Sequence, residues 1–139
     1  VFGSDLGADA VLDPSEAVDG GPYDVVLELV GAPNLGDDLK SLATGGRIAV
    51  IGVGGGFKGE LNLLALMGKR ARIMGSTLRA RPLEEKATTA RAMERHVLPL
   101  FESGALRVPL LEVYPLADAP AAYARFAAGG KLGKIVLAG

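Results

Sequence analysis

The residues of this chain best suited to touch a ligand lie in three short stretches, each following an apolar run: Val30-Gly31, Gly52 to Gly56, and Ser76-Thr77-Leu78. A glycine carries no Cβ, so backbone amides there can approach a flat ring or a phosphate closely. The same glycines could equally serve as plain turn residues. Gly54, Gly56 and Gly59 also match G-x-G-x-x-G, the pattern that cradles a pyrophosphate at a strand-to-helix turn. That match is weak. The pattern expects its first glycine at the strand end and an acidic residue about 20 residues on, closing the next strand. Here the next strand ends in Ser76-Thr77-Leu78-Arg79.

Other chemistry has few candidates. The single His96 falls inside a helical pattern beside Arg95, with no partner in view for general-base work; it reads as a surface residue, and no Ser–His–Asp arrangement can be built from it. Cysteine is absent, which excludes a disulfide framework, a thiolate nucleophile and, with one histidine, any ordinary zinc site within this chain. Arg79 and Arg81 follow a strand end and could clamp an anion, or simply solubilise a helix start. Lys131 and Lys134 could meet a phosphate or stay solvated. Glu84 and Glu85 suit the positive end of a helix.

These positions must be held by alternating strands and helices. Ala10-Val11-Leu12 reads as a short strand ended by Asp13-Pro14. Val25 to Leu29 and Ile48 to Ile51 read as strands buried on both faces. Between them, Asn34 is placed to cap a helix whose Leu35, Leu39 and Leu42 share one face, with Gly45-Gly46 as its stop. Leu61 to Met67 reads as a short apolar helix or turn, and Ala71 to Ser76 as a third strand. Pro82 opens a long helix carrying Leu83, Ala87, Ala90, Met93, Val97 and Phe101 on one face, bent or thinned by Pro99. Asp118 to Phe126 forms a last helix with Leu116, Ala119, Ala122, Tyr123 and Phe126 toward the core, and Lys134 to Leu137 a closing strand. Such alternation predicts a parallel sheet with right-handed crossovers.

The composition fits this architecture. With 139 residues, 49% of them apolar and 22% charged, the chain has core enough for one domain or part of one. A net charge of −1 points to neither nucleic acid nor an anionic membrane. No run spans a bilayer and no signal peptide is visible, so a cytoplasmic location is expected.

In order along the chain, these motifs resemble the medium-chain dehydrogenase/reductase superfamily, in its zinc-independent quinone oxidoreductase branch. Leu6-Gly7-Ala8-Asp9 is similar to the segment before the third strand of that nucleotide-binding fold. Asp24 to Gly31 resembles its fourth strand, Gly46-Arg47 to Gly52 its fifth, and Gly75-Ser76-Thr77-Leu78-Arg79-Ala80-Arg81 its most branch-specific piece. Val97 to Gly104 fits its long helix, and Gly130 to Leu137 its closing strand.

The resemblance implies an α/β, three-layer, parallel-sheet, partial Rossmann (doubly wound) domain, one cofactor-binding unit over residues 1–139. It implies that Asn34 lies near the adenosine-side or ribose groups of NADP(H), with NAD(H) possible. Ile51, Gly52, Val53 and Gly54 would line the nicotinamide, and Ser76, Thr77 and Leu78 would face its carboxamide. It implies no catalytic side chain and no metal ligand on this segment. The substrate would be a quinone or enone reduced by hydride transfer, and the strand at 71–77 would pair across a homodimer two-fold. Two further readings stay open: a zinc-dependent alcohol dehydrogenase of the same superfamily, and a non-catalytic nucleotide-binding or interaction module.

The family's first strand, glycine fingerprint and catalytic lobe are not in this sequence. Without that first strand, Val25 to Leu29 becomes an exposed apolar edge. Val1-Phe2-Gly3-Ser4 resembles the end of the second strand, and Ser4-Asp5-Leu6 joins it directly to the third-strand segment where the family has a helix. A truncation, an engineered junction or an omitted segment is therefore expected, and a fragment alone is expected to be inactive.

Overall fold

A computed structural model describes residues 6–13 and 15–139; the expectations placed on Val1 to Asp5 and on Pro14 lie outside them. The described chain divides into two units, one ending at Arg81 and the other running from Pro82 to Gly139.

The first unit is a parallel sheet of three strands in the order β1 (Tyr23–Glu28), β2 (Leu42–Val50), β3 (Arg72–Gly75). Helices α1 (Leu35–Ser41) and α2 (Leu63–Lys69) make the crossovers. Leu39, Leu42 and Ile48 are the buried core, with Val26, Leu35, Val50, Ala65, Leu66 and Ile73 packed against it. These residues alternate along each strand, so one sheet face lies under α1 and α2. The other carries Val25, Leu27 and Met74, about half exposed. The expectation that β1 is buried on both faces is therefore corrected, while the expectation of an exposed apolar edge at Val25 to Leu29 holds: β1 is an edge strand of this sheet with apolar side chains open to solvent.

Three further expectations change. Ala10-Val11-Leu12 is not a strand; the sheet of this unit consists of β1, β2 and β3, and a run without a ladder partner cannot be one. Gly45-Gly46 does not stop α1. The helix ends at Ser41 and β2 begins at once. The glycines instead sit in an irregularity of β2: Tyr23 pairs with Leu42, but Val25 pairs with Arg47. Gly45 there adopts φ +83°, which a side chain resists. Finally, Asn34 stands at the N-cap of α1 without a side-chain capping bond. The capping role expected of it is filled one helix later by Asn62, whose side chain accepts from the Ala65 amide at 3.0 Å.

The second unit holds α3 (Leu83–His96), α4 (Leu98–Glu102), β4 (Leu110–Pro115), a single 3₁₀ turn at Leu116–Asp118, α5 (Ala119–Ala127) and β5 (Lys134–Ala138). β4 and β5 pair in parallel, with Val113 opposite Val136. Pro99 splits the expected long helix, because a proline removes a backbone donor and crowds the preceding turn. The helix breaks at Val97, and α4 resumes with the proline in its first turn. The expected core faces are not buried. Leu83, Met93, Tyr123 and Phe126 are exposed, and Ala122 alone of the α5 face is buried. β4 is an element the sequence reading passed over. No helix among the described residues is long and apolar enough to cross a membrane.

Candidate nucleotide site at the strand ends

The ladder aligns the carboxyl ends of the three strands. Glu28 lies opposite Val50, and Val50 opposite Gly75. The chain leaving each strand therefore emerges at the same edge, and all three candidate stretches lie there. Parallel α/β sheets bind ligands at this edge.

The loop after β2 crosses to β1: the Ile51 and Gly52 amides donate to the Glu28 carbonyl at 2.9 and 3.1 Å. It then folds on the loop after β1, where the Gly55 amide reaches the Val30 carbonyl at 2.8 Å and the Ala32 amide the Gly56 carbonyl at 2.9 Å. The glycines make this approach possible. A Cβ on Gly52 would lie 2.2 Å from the Leu29 carbonyl oxygen, and one on Gly31 would lie 2.4 Å from that of Gly56. The amides of Gly52, Gly55 and Gly56 are thus used within the protein. The G-x-G-x-x-G match at Gly54, Gly56 and Gly59 is a loop-packing motif here; α2 starts only at Leu63, capped by Asn62.

Between the loops after β2 and β3 lies a cavity of about 370 Å³, lined by Val50, Ile51, Val53, Gly75, Ser76 and Thr77. It brings together four of the residues expected from sequence: Ile51, Val53, Ser76 and Thr77. Gly52 packs against Leu29 instead, Gly54 faces open space, and Leu78 is half exposed. Asn34 lines a separate pocket of about 230 Å³ with Asp37 and Asp38. The Ser76 amide extends the ladder to the Val50 carbonyl at 3.2 Å. Arg81 then folds back over the loop, its Nε donating to the Thr77 carbonyl at 2.8 Å and its Nη2 to Ser76 Oγ at 2.9 Å. Arg81, one of the two arginines considered as an anion clamp, holds its own loop. Lys131 is likewise engaged: its Nζ donates to the Phe126 carbonyl at 2.7 Å and lies 3.7 Å from the Phe126 ring centroid.

Sequence reasoning missed Glu28. It is 4% exposed and accepts from the Val30 and Gly31 amides and from Asn34 Nδ2 at 3.2 Å. Burial disfavours its charge, but these donors and the Asp38 carboxyl outweigh that and hold its pKa below the ordinary value. Asp38 moves the opposite way, pushed up to about 7 by burial and by its hydrogen bond to, and the charge of, Glu28. A signal was available: a lone Glu in Val-Val-Leu-Glu-Leu-Val must find partners if that run is buried.

Among the described residues no cluster of three or more His, Asp or Glu is placed to hold a metal.

A parallel α/β sheet whose loops converge at the strand ends defines the class: a Rossmann-like nucleotide-binding fragment. The comparisons with known proteins carry this to a family. A family model described as zinc-binding dehydrogenase matches residues 6–137. The quinone oxidoreductase of Rattus norvegicus is 32% identical over 115 residues, covering 82% of this chain and 33% of that protein. Among solved structures, a cobalt- and zinc-bound alcohol dehydrogenase from Pyrobaculum aerophilum aligns over 98% of this chain and 38% of its own, with 33% identity and a TM-score of 0.78. The quinone oxidoreductase of Thermus thermophilus, solved also with NADPH, aligns over 96% and 44%, with 29% identity and a TM-score of 0.78. The chain belongs to the zinc-binding dehydrogenase family, within the medium-chain dehydrogenase/reductase superfamily, and corresponds to the C-terminal part of its nucleotide-binding region. It spans about a third of the length of the curated relatives it matches.

Proposed function

We propose that this chain forms the nicotinamide-binding part of an NADPH-dependent oxidoreductase that reduces quinones or enones. The observation that carries the reading is the cavity at the ends of β2 and β3, where Ile51, Val53, Ser76 and Thr77 converge. Its chemistry suits a nicotinamide. Ile51 and Val53 offer an apolar wall against a flat ring, while Ser76 and Thr77 offer hydroxyl and backbone groups to a carboxamide. Arg81 keeps the Ser76–Thr77 loop in one shape before a ligand arrives, and such pre-ordering favours binding. The cofactor, when bound, supplies the hydride, and a proton from solvent completes reduction of the acceptor. This segment's task is to orient the ring and keep water from one of its faces.

The identities to quinone oxidoreductases and the NADPH complex of the Thermus thermophilus relative support both acceptor class and cofactor. A second reading, an alcohol dehydrogenase, is supported by the Pyrobaculum aerophilum likeness. On either reading β3, which has one neighbour in its sheet, is free to pair across a homodimer two-fold through residues 71–77.

The test replaces Val53, about half exposed, by Trp to fill the cavity in the intact protein. NADPH binding should weaken by about tenfold or more while the far-ultraviolet spectrum stays unchanged. Unchanged NADPH affinity in Val53→Trp would remove the site. Turnover of a quinone with NADPH, set against oxidation of an alcohol with NADP⁺, separates the two readings.

A further inference from the structure

We propose that Glu28 is a positioning residue, and that one proton shared between its carboxyl group and that of Asp38 keeps the turn from Val30 to Asn34 in its binding shape. The contribution to binding rests on the functional reading above; the proton sharing does not.

The geometry is specific. Glu28 ends β1, the edge strand, and is all but buried beneath the turn that follows. One carboxylate oxygen receives both the Val30 and Gly31 amides, and the other receives Asn34 Nδ2. Three contacts of the turn therefore converge on the Glu28 side chain, beside the backbone bond from the Asn34 amide to the Gly31 carbonyl at 3.1 Å. The turn also carries the parallel bridge between Gly31 and Gly56, so its shape is transmitted to the glycine loop after β2. Gly31 has φ +107°, a conformation glycine adopts readily and a side chain would resist.

Asp38, one helical turn into α1, has its carboxyl group beside that of Glu28. Two ionised carboxylates repel at such a place, and a hydrogen bond between them needs one proton. Asp38 Oδ2 is buried, with no hydrogen-bond donor beside it among the described residues. That suits a neutral acid and is costly for an anion. The groups around the pair do not supply a countercharge. Asp37 adds negative charge and is itself paired with Lys40 at 2.9 Å. Tyr23, on β1, spends its hydroxyl on the Ala17 carbonyl, and Ser41 donates to the carbonyls of Asp37 and Asp38. Lys69, on α2, reaches the carbonyls of Lys40 and Leu42 instead. Among the described residues no cation is bonded to either carboxyl group.

Loss of the shared proton puts a second negative charge against Glu28, and the pair must separate. The element free to move is the turn, because β1 is held by its ladder. Asn34 then leaves the position in which Glu28 holds it, and the pocket it lines with Asp37 and Asp38 changes shape.

The experiment follows the Asp38 carboxyl carbon by NMR in the intact protein, selectively labelled on aspartate, from pH 4 to 9. The Gly31 amide and the Asn34 side-chain amide are read in parallel. Expected is an Asp38 midpoint near neutrality, with both amides moving on the same curve. In Glu28→Gln the carboxamide can donate to an ionised Asp38, and the midpoint should fall toward the ordinary carboxylate range. In Asp38→Asn the amide signals should stay near their low-pH positions throughout. The ratio of NADPH affinity at pH 6 to that at pH 8 should be about five-fold larger in the wild type than in Asp38→Asn. An Asp38 midpoint near 4, or Gly31 and Asn34 signals indifferent to it, would overturn the proposal. NADPH failing to bind at any pH, with the Asp38 titration as expected, would overturn the functional reading and leave the shared proton standing.

Discussion

Arg81 Nη2 lies 2.9 Å from Ser76 Oγ, and the same guanidinium holds the Thr77 carbonyl at 2.8 Å. A residue five positions along the chain thus folds back to fix the loop that closes the cavity at the end of β3. The planar fork of arginine can satisfy a hydroxyl and a carbonyl together, whereas lysine offers a single ammonium centre. Arg81→Ala should leave the sheet folded but raise the Kd for NADPH by about five-fold, equivalent to ~1 kcal/mol of lost loop order. Arg81→Lys should recover only part of the loss. Fluorescence titration of the three proteins checks this; equal affinities would mean that the loop holds its shape unaided.

Gly52 and Gly54 differ by two positions and should differ sharply in tolerance. A methyl on Gly52 meets the Leu29 carbonyl oxygen at 2.2 Å, while one on Gly54 meets nothing within 4 Å. Gly52→Ala should cost ~2 kcal/mol or more, since backbone must move to admit it. Gly54→Ala should unfold at an unchanged urea midpoint. Chemical denaturation of both variants gives the comparison directly.

Lys69 ties α2 to the junction of α1 and β2. Its Nζ donates to the Lys40 carbonyl at 2.7 Å and to that of Leu42, groups at the negative end of α1. Lys69→Met keeps the stem and removes the charge. A loss of ~1 kcal/mol is expected, modest because one contact is exposed. An unchanged midpoint in urea would show that water replaces the ammonium at no cost.

Stability should also carry the mark of Asp38. Its folded pKa is about 7 against an ordinary 3.8, so the folded form binds the proton more tightly. The contribution is fully present below the unfolded value and is lost as pH rises through about 7. Glu28, held below its ordinary value, acts in the opposite sense. Its contribution is present above the ordinary carboxylate range and is lost as pH falls through the lowered folded value. Asp38→Asn should therefore abolish the decline between pH 4 and 8, leaving the variant more stable than the wild type at pH 8. Urea titrations across that range check this; a parallel decline in the variant would assign the loss to another group.

The periodic features of the fold were legible without coordinates. Apolar runs at 25–29, 48–51 and 71–76, separated by helical spacing, place three parallel strands in chain order, because a strand-to-strand crossover leaves few alternatives. Ser76 and Thr77 could be named as candidate site residues for the same reason: they follow a strand end, and strand ends of such sheets share one edge. The sequence also bears the signs of elements that were passed over. Leu110-Leu111-Glu112-Val113-Tyr114 has strand composition, and its flanking Pro109 and Pro115 mark its limits.

Other features were decided only in three dimensions. Residues 10–12 have strand composition but no ladder partner, and strand identity depends on a neighbour. Gly45-Gly46 could stop a helix or loosen a strand; the pairing of Val25 with Arg47 made it the latter. Asn34 could cap α1 or bond elsewhere, and buried Glu28, needing donors more than the exposed helix end did, took its side chain. Local sequence determines what a segment can form on its own, through propensity and the period of its apolar residues. Which polar groups meet is determined by burial, since only a group cut off from water must find its partner inside the protein.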